Sequence, residues 1–240
     1  MPPYQGGEIR NNFDIIIEIC DNRAMKSVIN RFIKIMIFAD FLVVSAFAFI
    51  GPIMAVFVTF QITDGSLKVA GTAMMIVWLV KSILQIPLAK YIDKNRGEWD
   101  DFYTMVFGYF LFTTVPFLYI FVNTPAQLYL VQVLYGVATA LAYPGWISMF
   151  SRHVDKQKTG FEWSLYSTAI GIGSGLAAYA GGYLADAYGF YTVFIIVGCV
   201  SFVGSVCLLL LRKEILMSHH LKKVARLETD GKLGKTINRR

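Results

Sequence analysis

Six long apolar segments decide what this chain can fold into. A transmembrane helix needs about 20 mostly apolar residues, and every segment meets that length. The segments lie at approximately 33–60, 69–91, 102–122, 126–150, 163–184 and 190–211. Because the connections between them are short, they leave no room for a soluble domain. We predict an all-α membrane domain of six transmembrane helices over 33–211, with a segment 1–32 before it and a basic tail 212–240 after it.

The composition supports a membrane location. Hydrophobic residues make up 56% of the chain and charged residues only 16%, whereas soluble domains are about 45–50% apolar. The first thirty residues carry too many charges for a secretory signal peptide. We expect an integral protein of a bacterial-type inner membrane.

Positive charge sets the predicted orientation. Of the 22 Lys and Arg residues, twenty fall at or before the start of the first segment, in or next to the second and fourth connections, or after Leu211. Since cytoplasmic loops of membrane proteins are enriched in these residues, both termini are predicted to face the cytoplasm. The net charge of +6 is then explained by topology and by anionic lipid, so no nucleic-acid partner is predicted.

A proline and an aspartate recur at matching spacing in the two halves of the apolar region. Pro52 in "AFIGPIMAVF" precedes Asp93 by 41 residues. Pro144 in "ALAYPGWISMF" precedes Asp186 by 42 residues. This spacing predicts a duplicated three-helix unit, with repeat 1 over about 33–122 and repeat 2 over about 126–211. Because three is odd, the second copy is inserted upside down, as in the inverted repeats of many secondary transporters.

The connection after the second segment, "LAKYIDKNRG", carries a motif that resembles a known family. Ala89, Asp93, Lys94, Arg96 and Gly97 follow the order of a small residue, an aspartate four places later, basic residues and a glycine. This order is similar to the cytoplasmic signature between the second and third helices of the major facilitator superfamily. Here the glycine comes one place late, and acids follow instead of arginines. The resemblance covers the whole six-segment region and implies half of a major facilitator fold.

The same resemblance implies that these residues form a cytoplasmic latch. Asp93 would accept hydrogen bonds from helix amino termini, while Lys94 and Arg96 would pair with acids such as Glu162. Such contacts would hold one conformation closed. The alternative is that the loop is basic only because of the positive-inside pattern.

Polar side chains inside the segments are the candidates for contact with a substrate or a coupling ion. They are Asp40, Lys81, Gln85, Gln132, Tyr135, Tyr143 and Trp146. A charge near the middle of a spanning helix costs about 2.5–3.5 kcal/mol on insertion, so Asp40 and Lys81 are expected to face a partner or a wet cavity. They either pair with each other as a structural unit or act in transport. In transport, Lys81 would attract an anion and Asp40 would titrate or bind a cation.

Prolines and glycines are expected to shape the bundle. Pro52 and Pro144 each free a backbone carbonyl and are predicted to act as hinges. Small residues of the fifth segment allow close approach of another helix in lipid. The glycines predicted in this packing role are Gly171, Gly175, Gly181 and Gly182.

No enzyme chemistry is predicted. An intramembrane protease needs a serine close to a membrane-buried histidine, yet His153, His219 and His220 all fall in polar segments. The histidines and the three cysteines also lack the spacing of metal ligands. We predict no catalytic residue, no metal and no cofactor.

The family resemblance implies a transporter built from two six-helix halves. The helices of the first and fourth segments would line a cavity for a small-molecule substrate. The helices of the second and fifth segments would contact the second half. We therefore predict a secondary transporter that works by alternating access as a homodimer in the lipid bilayer. Two alternatives are a non-transporting accessory subunit and one half of a heteromeric transporter.

Overall fold

The structure is a computed structural model that describes residues 29–95 and 97–217. Within these ranges the chain forms seven α-helices and no β-strand. In chain order they are α1 (Arg31–Ala48), α2 (Ile50–Gln61), α3 (Leu67–Asn95), α4 (Glu98–Tyr119), α5 (Pro125–His153), α6 (Thr159–Tyr188) and α7 (Phe190–Leu208). After α7, a short turn leads into further helical residues, so the last span extends to Met217.

Local sequence signals explain where several helices begin and end. Asn30 caps α1, since its side chain accepts a hydrogen bond from the backbone N–H of Phe32. Thr124 and Gln127 form a reciprocal capping box at the start of α5. Gly189 separates α6 from α7 with φ at +84°, a conformation that side chains with a Cβ rarely adopt.

The first span is broken into α1 and α2. The break falls at Phe49, three residues before Pro52. A proline lacks the N–H that would bond to the carbonyl four residues earlier, and its ring crowds that carbonyl, here the one of Ala48. Pro144, the corresponding proline of the second half, lies inside an unbroken helix. The two predicted hinges therefore differ, with an interruption at the first proline only.

Five helical stretches of the described chain are long and apolar enough to cross a membrane. They are the α1–α2 stretch, α3, α4, α5 and the extended α7. The remaining helix, α6, is long enough at 30 residues, but its glycine, serine and tyrosine residues lower its mean hydropathy. It packs against α1, α2 and α7 within the same bundle. The predicted fold class, an all-α membrane protein with six membrane segments, is confirmed.

Contacts between helix ends fix the topology. Arg31 pairs with Glu214 at 3.1 Å, and the ring of Phe32 stacks on that of His153 at 3.6 Å between centroids. The start of α1, the end of α5 and residue 214 therefore share one side of the bundle, which we call the termini side. The start of α4 lies there too, because its Asp101 pairs with Arg152 near the end of α5. The opposite side holds the loops before α3 and before α5. The first three spans thus run in directions opposite to those of the last three, as expected for inverted repeats.

Glycines bring helix backbones into direct contact. A Cβ added at Gly108 of α4 would lie 2.4 Å from the backbone nitrogen of Ala142 in α5. One added at Gly145 of α5 would lie 2.7 Å from the carbonyl oxygen of Asp101 in α4. Gly136 approaches α3 and Gly204 of α7 approaches α1 in the same way. Helix association in lipid depends on such close packing.

Helix α6 has small residues on two opposite faces. A Cβ at Gly173 or Gly181 would collide with α1 or with Phe49, so this face packs against the first span. Gly171, Gly175 and Gly182 lie on the other face and have nothing within 4 Å of an added Cβ. Of the four glycines predicted to pack, Gly181 therefore packs within the bundle and the other three line its outer surface.

Some predicted features lie outside the described residues. These are Arg96 of the latch motif, His219 and His220, the segment 1–28 and the part of the tail beyond Met217.

Replacing Gly108 by alanine is expected to destabilise the bundle by about 1–3 kcal/mol, because the new methyl group meets the backbone of α5 and the helices must separate. Gly71→Ala is the matched control, since nothing lies near its Cβ position and alanine is the better helix former. Thermal unfolding in detergent should show a lower midpoint for Gly108→Ala and an equal or higher one for Gly71→Ala. Equal midpoints for Gly108→Ala and the parent protein would contradict the packing described here.

Candidate functional site

A buried carboxylate connects three helices on the termini side of the bundle. Asp40 of α1 is only 3% exposed. The Tyr109 hydroxyl of α4 donates to its Oδ1, and the Tyr166 hydroxyl of α6 donates to its Oδ2 at 2.7 Å. Burial of a charged or polar group is tolerated when it is hydrogen-bonded, and these two donors supply the bonds.

These three residues meet because they lie at similar depth. Helices α1, α4 and α6 all start on the termini side, and Asp40, Tyr109 and Tyr166 lie between seven and eleven residues from those starts. At 1.5 Å of rise per residue, the three side chains fall within about one helical turn of the same level. The hydroxyl donors were missed by sequence reasoning, although this equal depth was a signal that pointed to them.

Asp40 lies in the wall of a cavity of about 160 Å³. The wall is mostly aromatic and aliphatic, and Asp40 is its one charged side chain among the described residues. The lining residues are Asp40, Val43, Val44, Tyr109, Phe112, Thr139, Ala142, Tyr143, Trp146 and Tyr166. Tyr143 is 42% exposed, so it marks the side on which the cavity reaches the protein surface. We call this space the first cavity.

A second cavity of about 140 Å³ lies further from the termini side. Gln132 and Tyr135 of α5, Tyr119 of α4 and Trp78 of α3 contribute to its wall. Gln132 is 4% exposed, and its Oε1 lies 3.4 Å from the Tyr119 hydroxyl, which donates to it. The second cavity therefore offers an amide group within an apolar wall, where the first offers a carboxylate.

Lys81 lies over two aromatic rings, one from the wall of each cavity. Its ammonium lies over the Trp78 ring at 4.8 Å and over the Tyr143 ring at 4.6 Å, each measured to the ring centroid. Trp78 lines the second cavity and Tyr143 the first. Asp40 and Lys81 form no ion pair in this structure, since Asp40 is bonded to two tyrosines instead. A cation held against two aromatic faces is stabilised electrostatically.

One helix supplies both cavities with polar groups. Four predicted site residues, Gln132, Tyr135, Tyr143 and Trp146, belong to α5 and line one cavity or the other. Their spacing places them on one face of the helix, as positions three, four, seven and eight apart do. The structure thus brings Asp40 and these four residues to one side of the bundle. Gln85 of α3 is half-buried, one turn from Lys81, and lines neither cavity.

Trp146 presents a buried donor at the first cavity. Its side chain is 3% exposed, and its Nε1–H has no hydrogen-bond partner among the described residues. A buried unpaired donor of this kind costs about 1–3 kcal/mol. An acceptor that reached this N–H would add a stabilising hydrogen bond, but the nitrogen has almost no accessible surface in this structure.

A second polar cluster ties α4 to α5 at the termini side. Asp101 is fully buried, and its Oδ2 accepts hydrogen bonds from Ser148 and from Arg152, both at 2.7 Å. Sequence reasoning missed this cluster. The signal was the run of acids at the start of α4, which the topology places beside the basic end of α5.

The predicted latch residues are spread over the same side of the bundle. Asp93 and Lys94 are exposed at the end of α3, and Gly97 precedes the first turn of α4. Glu162 is 1% exposed and accepts a hydrogen bond from the backbone N–H of Asp155 at 3.1 Å. Within the described ranges it forms no ion pair with Lys94, so the latch contact between these two residues is not made here.

Comparison with known proteins places these observations in a family. A sequence model described as Major Facilitator Superfamily matches residues 35–232. An uncharacterized MFS-type transporter of Methanocaldococcus jannaschii is 24% identical over 176 residues, which are 73% of this chain and 44% of that protein. The crystal structure of the POT family transporter PepTSo resembles 76% of this chain with a TM-score of 0.62 and 18% identity, over 37% of its own length. The chain thus spans less than half the length of both proteins.

Removing Arg152 should destabilise the protein far more than removing Arg31. Arg152→Met leaves the fully buried Asp101 without its cation, and loss of one partner of a buried pair typically costs about 3–5 kcal/mol. Arg31→Met removes a pair in which the arginine is 77% exposed, and such pairs contribute about 1 kcal/mol or less. Chemical denaturation in mild detergent compares the two variants. Equal losses would show that the Asp101 cluster does not hold α4 against α5.

Proposed function

Because this chain belongs to the Major Facilitator Superfamily, we propose that it carries a small solute across a membrane by alternating access, paired with a second six-helix half. The observation that carries the proposal is that Asp40 of α1, Trp78 of α3 and the polar residues of α5 line cavities on one face of the bundle. That face has no second wall in a single copy of the six-helix bundle. A second half placed against it would enclose a central substrate path.

The distribution of polar groups on α3 distinguishes this face from a lipid-facing surface. Lys81 lies 14 residues from either end of α3, hence near the middle of the membrane. Gln85 lies one turn further along the same side of the helix. Charged and amide side chains at that depth are expected to face protein or a water-filled cavity. This supports a partner or a substrate path next to α3.

The outer face of α6 has the shape of a helix–helix contact. Gly171, Gly175 and Gly182 form a shallow groove that no described residue fills. Beside the groove, Tyr179 and Tyr183 project with 80% and 66% of their surfaces exposed. Two copies related by a two-fold axis can place the ridge of each helix in the groove of the other, and such closed two-fold pairs are the commonest form of self-association.

A homodimer is therefore the assembly that we propose, with the termini in the cytoplasm. The relatives support the general arrangement, since this chain matches less than half of their length. A different six-helix half as the partner is the competing assembly. The two differ in mass and in whether the purified chain alone forms the contact.

We expect a dimer when the purified chain is weighed in lipid nanodiscs, after correction for lipid and scaffold protein. In a variant whose native cysteines are replaced by serine, Gly175→Cys should crosslink between copies, because it lies in the α6 groove. Val203→Cys, exposed on α7, is the matched control and should not. A monomer, or equal crosslinking at both positions, would contradict the homodimer.

A further inference from the structure

We propose that the first cavity binds a small organic cation, with an ammonium group held by the Asp40 carboxylate and by the surrounding aromatic rings. This inference rests on the proposed function, because it names the substrate class of the transport site. The argument uses four properties of the cavity, which are its donors and acceptors, its aromatic faces, the position of Lys81 and its volume.

Three of the four hydroxyl groups that line the first cavity already donate hydrogen bonds within the protein. Tyr109 and Tyr166 donate to Asp40, and Thr139 donates to the carbonyl of Tyr135 at 2.8 Å. An anionic ligand would have to bind beside a carboxylate with only neutral donors remaining. A ligand that donates hydrogen bonds, in contrast, finds the free lone pairs of Asp40, because each carboxylate oxygen accepts two bonds. The inventory of donors and acceptors therefore favours a cation.

The aromatic walls favour the same charge. Tyr143, Trp146 and Phe112 contribute ring surfaces to the cavity. Ring faces carry partial negative charge, so they attract cations and repel anions. Lys81 demonstrates this property within the protein, since its primary ammonium already lies over the Tyr143 ring. A substrate ammonium in the cavity would contact the same kind of aromatic surface that the Lys81 ammonium contacts.

Lys81 gives the inference a second, opposite test. Because its ammonium lies over Tyr143, which also lines the cavity, a bound cation would be repelled by it. Neutralising Lys81 should then strengthen the binding of a cation, whereas it would weaken the binding of an anion. Neutralising Asp40 should instead weaken the binding of a cation and strengthen the binding of an anion. A zwitterion bridging both groups would be weakened by either change.

The volume of the cavity and the indole of Trp146 limit the ligand further. An apolar cavity of about 150 Å³ is large enough for benzene, and the first cavity has about 160 Å³. Trp146 also lines the cavity, and its Nε1–H is unpartnered but almost inaccessible, so an acceptor on the ligand would reach it only after a small shift of the neighbouring side chains. The site therefore fits an arylalkylamine or a compact aliphatic amine, preferably one with a hydroxyl or carbonyl oxygen.

Equilibrium binding to the purified full-length chain in nanodiscs tests the proposal without a transport assay. The probes are benzylamine, benzoate and benzyl alcohol, which share one ring and differ in charge, and binding is followed by calorimetry. We expect benzylamine to bind more tightly than the other two. Asp40→Asn should weaken benzylamine binding by about tenfold or more, as expected for loss of a charge-assisted contact. Lys81→Gln should strengthen it severalfold.

Matched control variants change the same charges away from the cavity. Asp64→Asn and Lys68→Gln lie in or next to the exposed loop before α3, and they should leave benzylamine binding unchanged. If Asp40→Asn does not fold, Lys81→Gln still decides, because the Lys81 ammonium lies over two aromatic rings, forms no salt bridge in the described chain and is partly exposed. Preference for benzoate, weaker benzylamine binding by Lys81→Gln, or no binding of any probe would overturn the proposal.

The indole has its own test. The probe 2-amino-1-phenylethanol differs from phenethylamine by one hydroxyl, and it should bind more tightly to the parent protein. Trp146→Phe keeps a ring but removes the N–H, so it should abolish that difference, and a difference that persists would exclude the indole from this role. Protein that is dimeric yet binds no amine would overturn the cation inference alone, whereas amine binding by a monomer would overturn the homodimer alone.

Discussion

Close contact between helix backbones is the interaction on which the rest of this structure depends. In hydrocarbon, helices gain little from burying apolar side chains against each other, so association depends on packing and on polar contacts. Gly108 and Gly145 let α4 and α5 touch along much of their length. Gly136 draws α3 onto α5, and Gly204 draws α7 onto α1. The contacts at Gly108, Gly145 and Gly136 hold α5 between α3 and α4, which is why its polar face can line two cavities.

The fold could be predicted from the sequence because the bilayer restricts what an apolar chain can do. In hydrocarbon every backbone polar group must be bonded within the protein, so long apolar segments become helices. The order of segments and the repeated proline and aspartate then indicated the family, and both the fold class and the family are confirmed. The break at Phe49 was less predictable, because Pro52 and Pro144 occupy corresponding places and only the first interrupts its span. Pro144 lies beside Gly145, where α4 packs closely against α5.

The candidate site was only partly predictable, since depth can be counted along a sequence but rotation about a helix axis depends on packing. Asp40 and Lys81 have similar depths, so pairing was reasonable. The structure instead directs Asp40 toward Tyr109 and Tyr166 and places Lys81 over two aromatic rings. Likewise, Glu162 was predicted to pair with the basic loop. In the described chain it accepts a hydrogen bond from the backbone N–H of Asp155, in the loop before its own helix. In each case a neutral group occupies the position at which an oppositely charged partner was expected.

The interruption at Phe49 divides the first span into two parts with different neighbours. Asp40 lies in α1, below the break, and the wall of the second cavity includes Ile50 and Met54 of α2, above it. A continuous helix would transmit any tilt of its upper half to the carboxylate. Phe49 itself keeps helical dihedral angles, φ −58° and ψ −38°, so the break is a local change of hydrogen bonding within the span. Because Pro52 leaves the carbonyl of Ala48 without its usual partner, bending of the first span costs less at this point, between the carboxylate and the second cavity, than elsewhere along it.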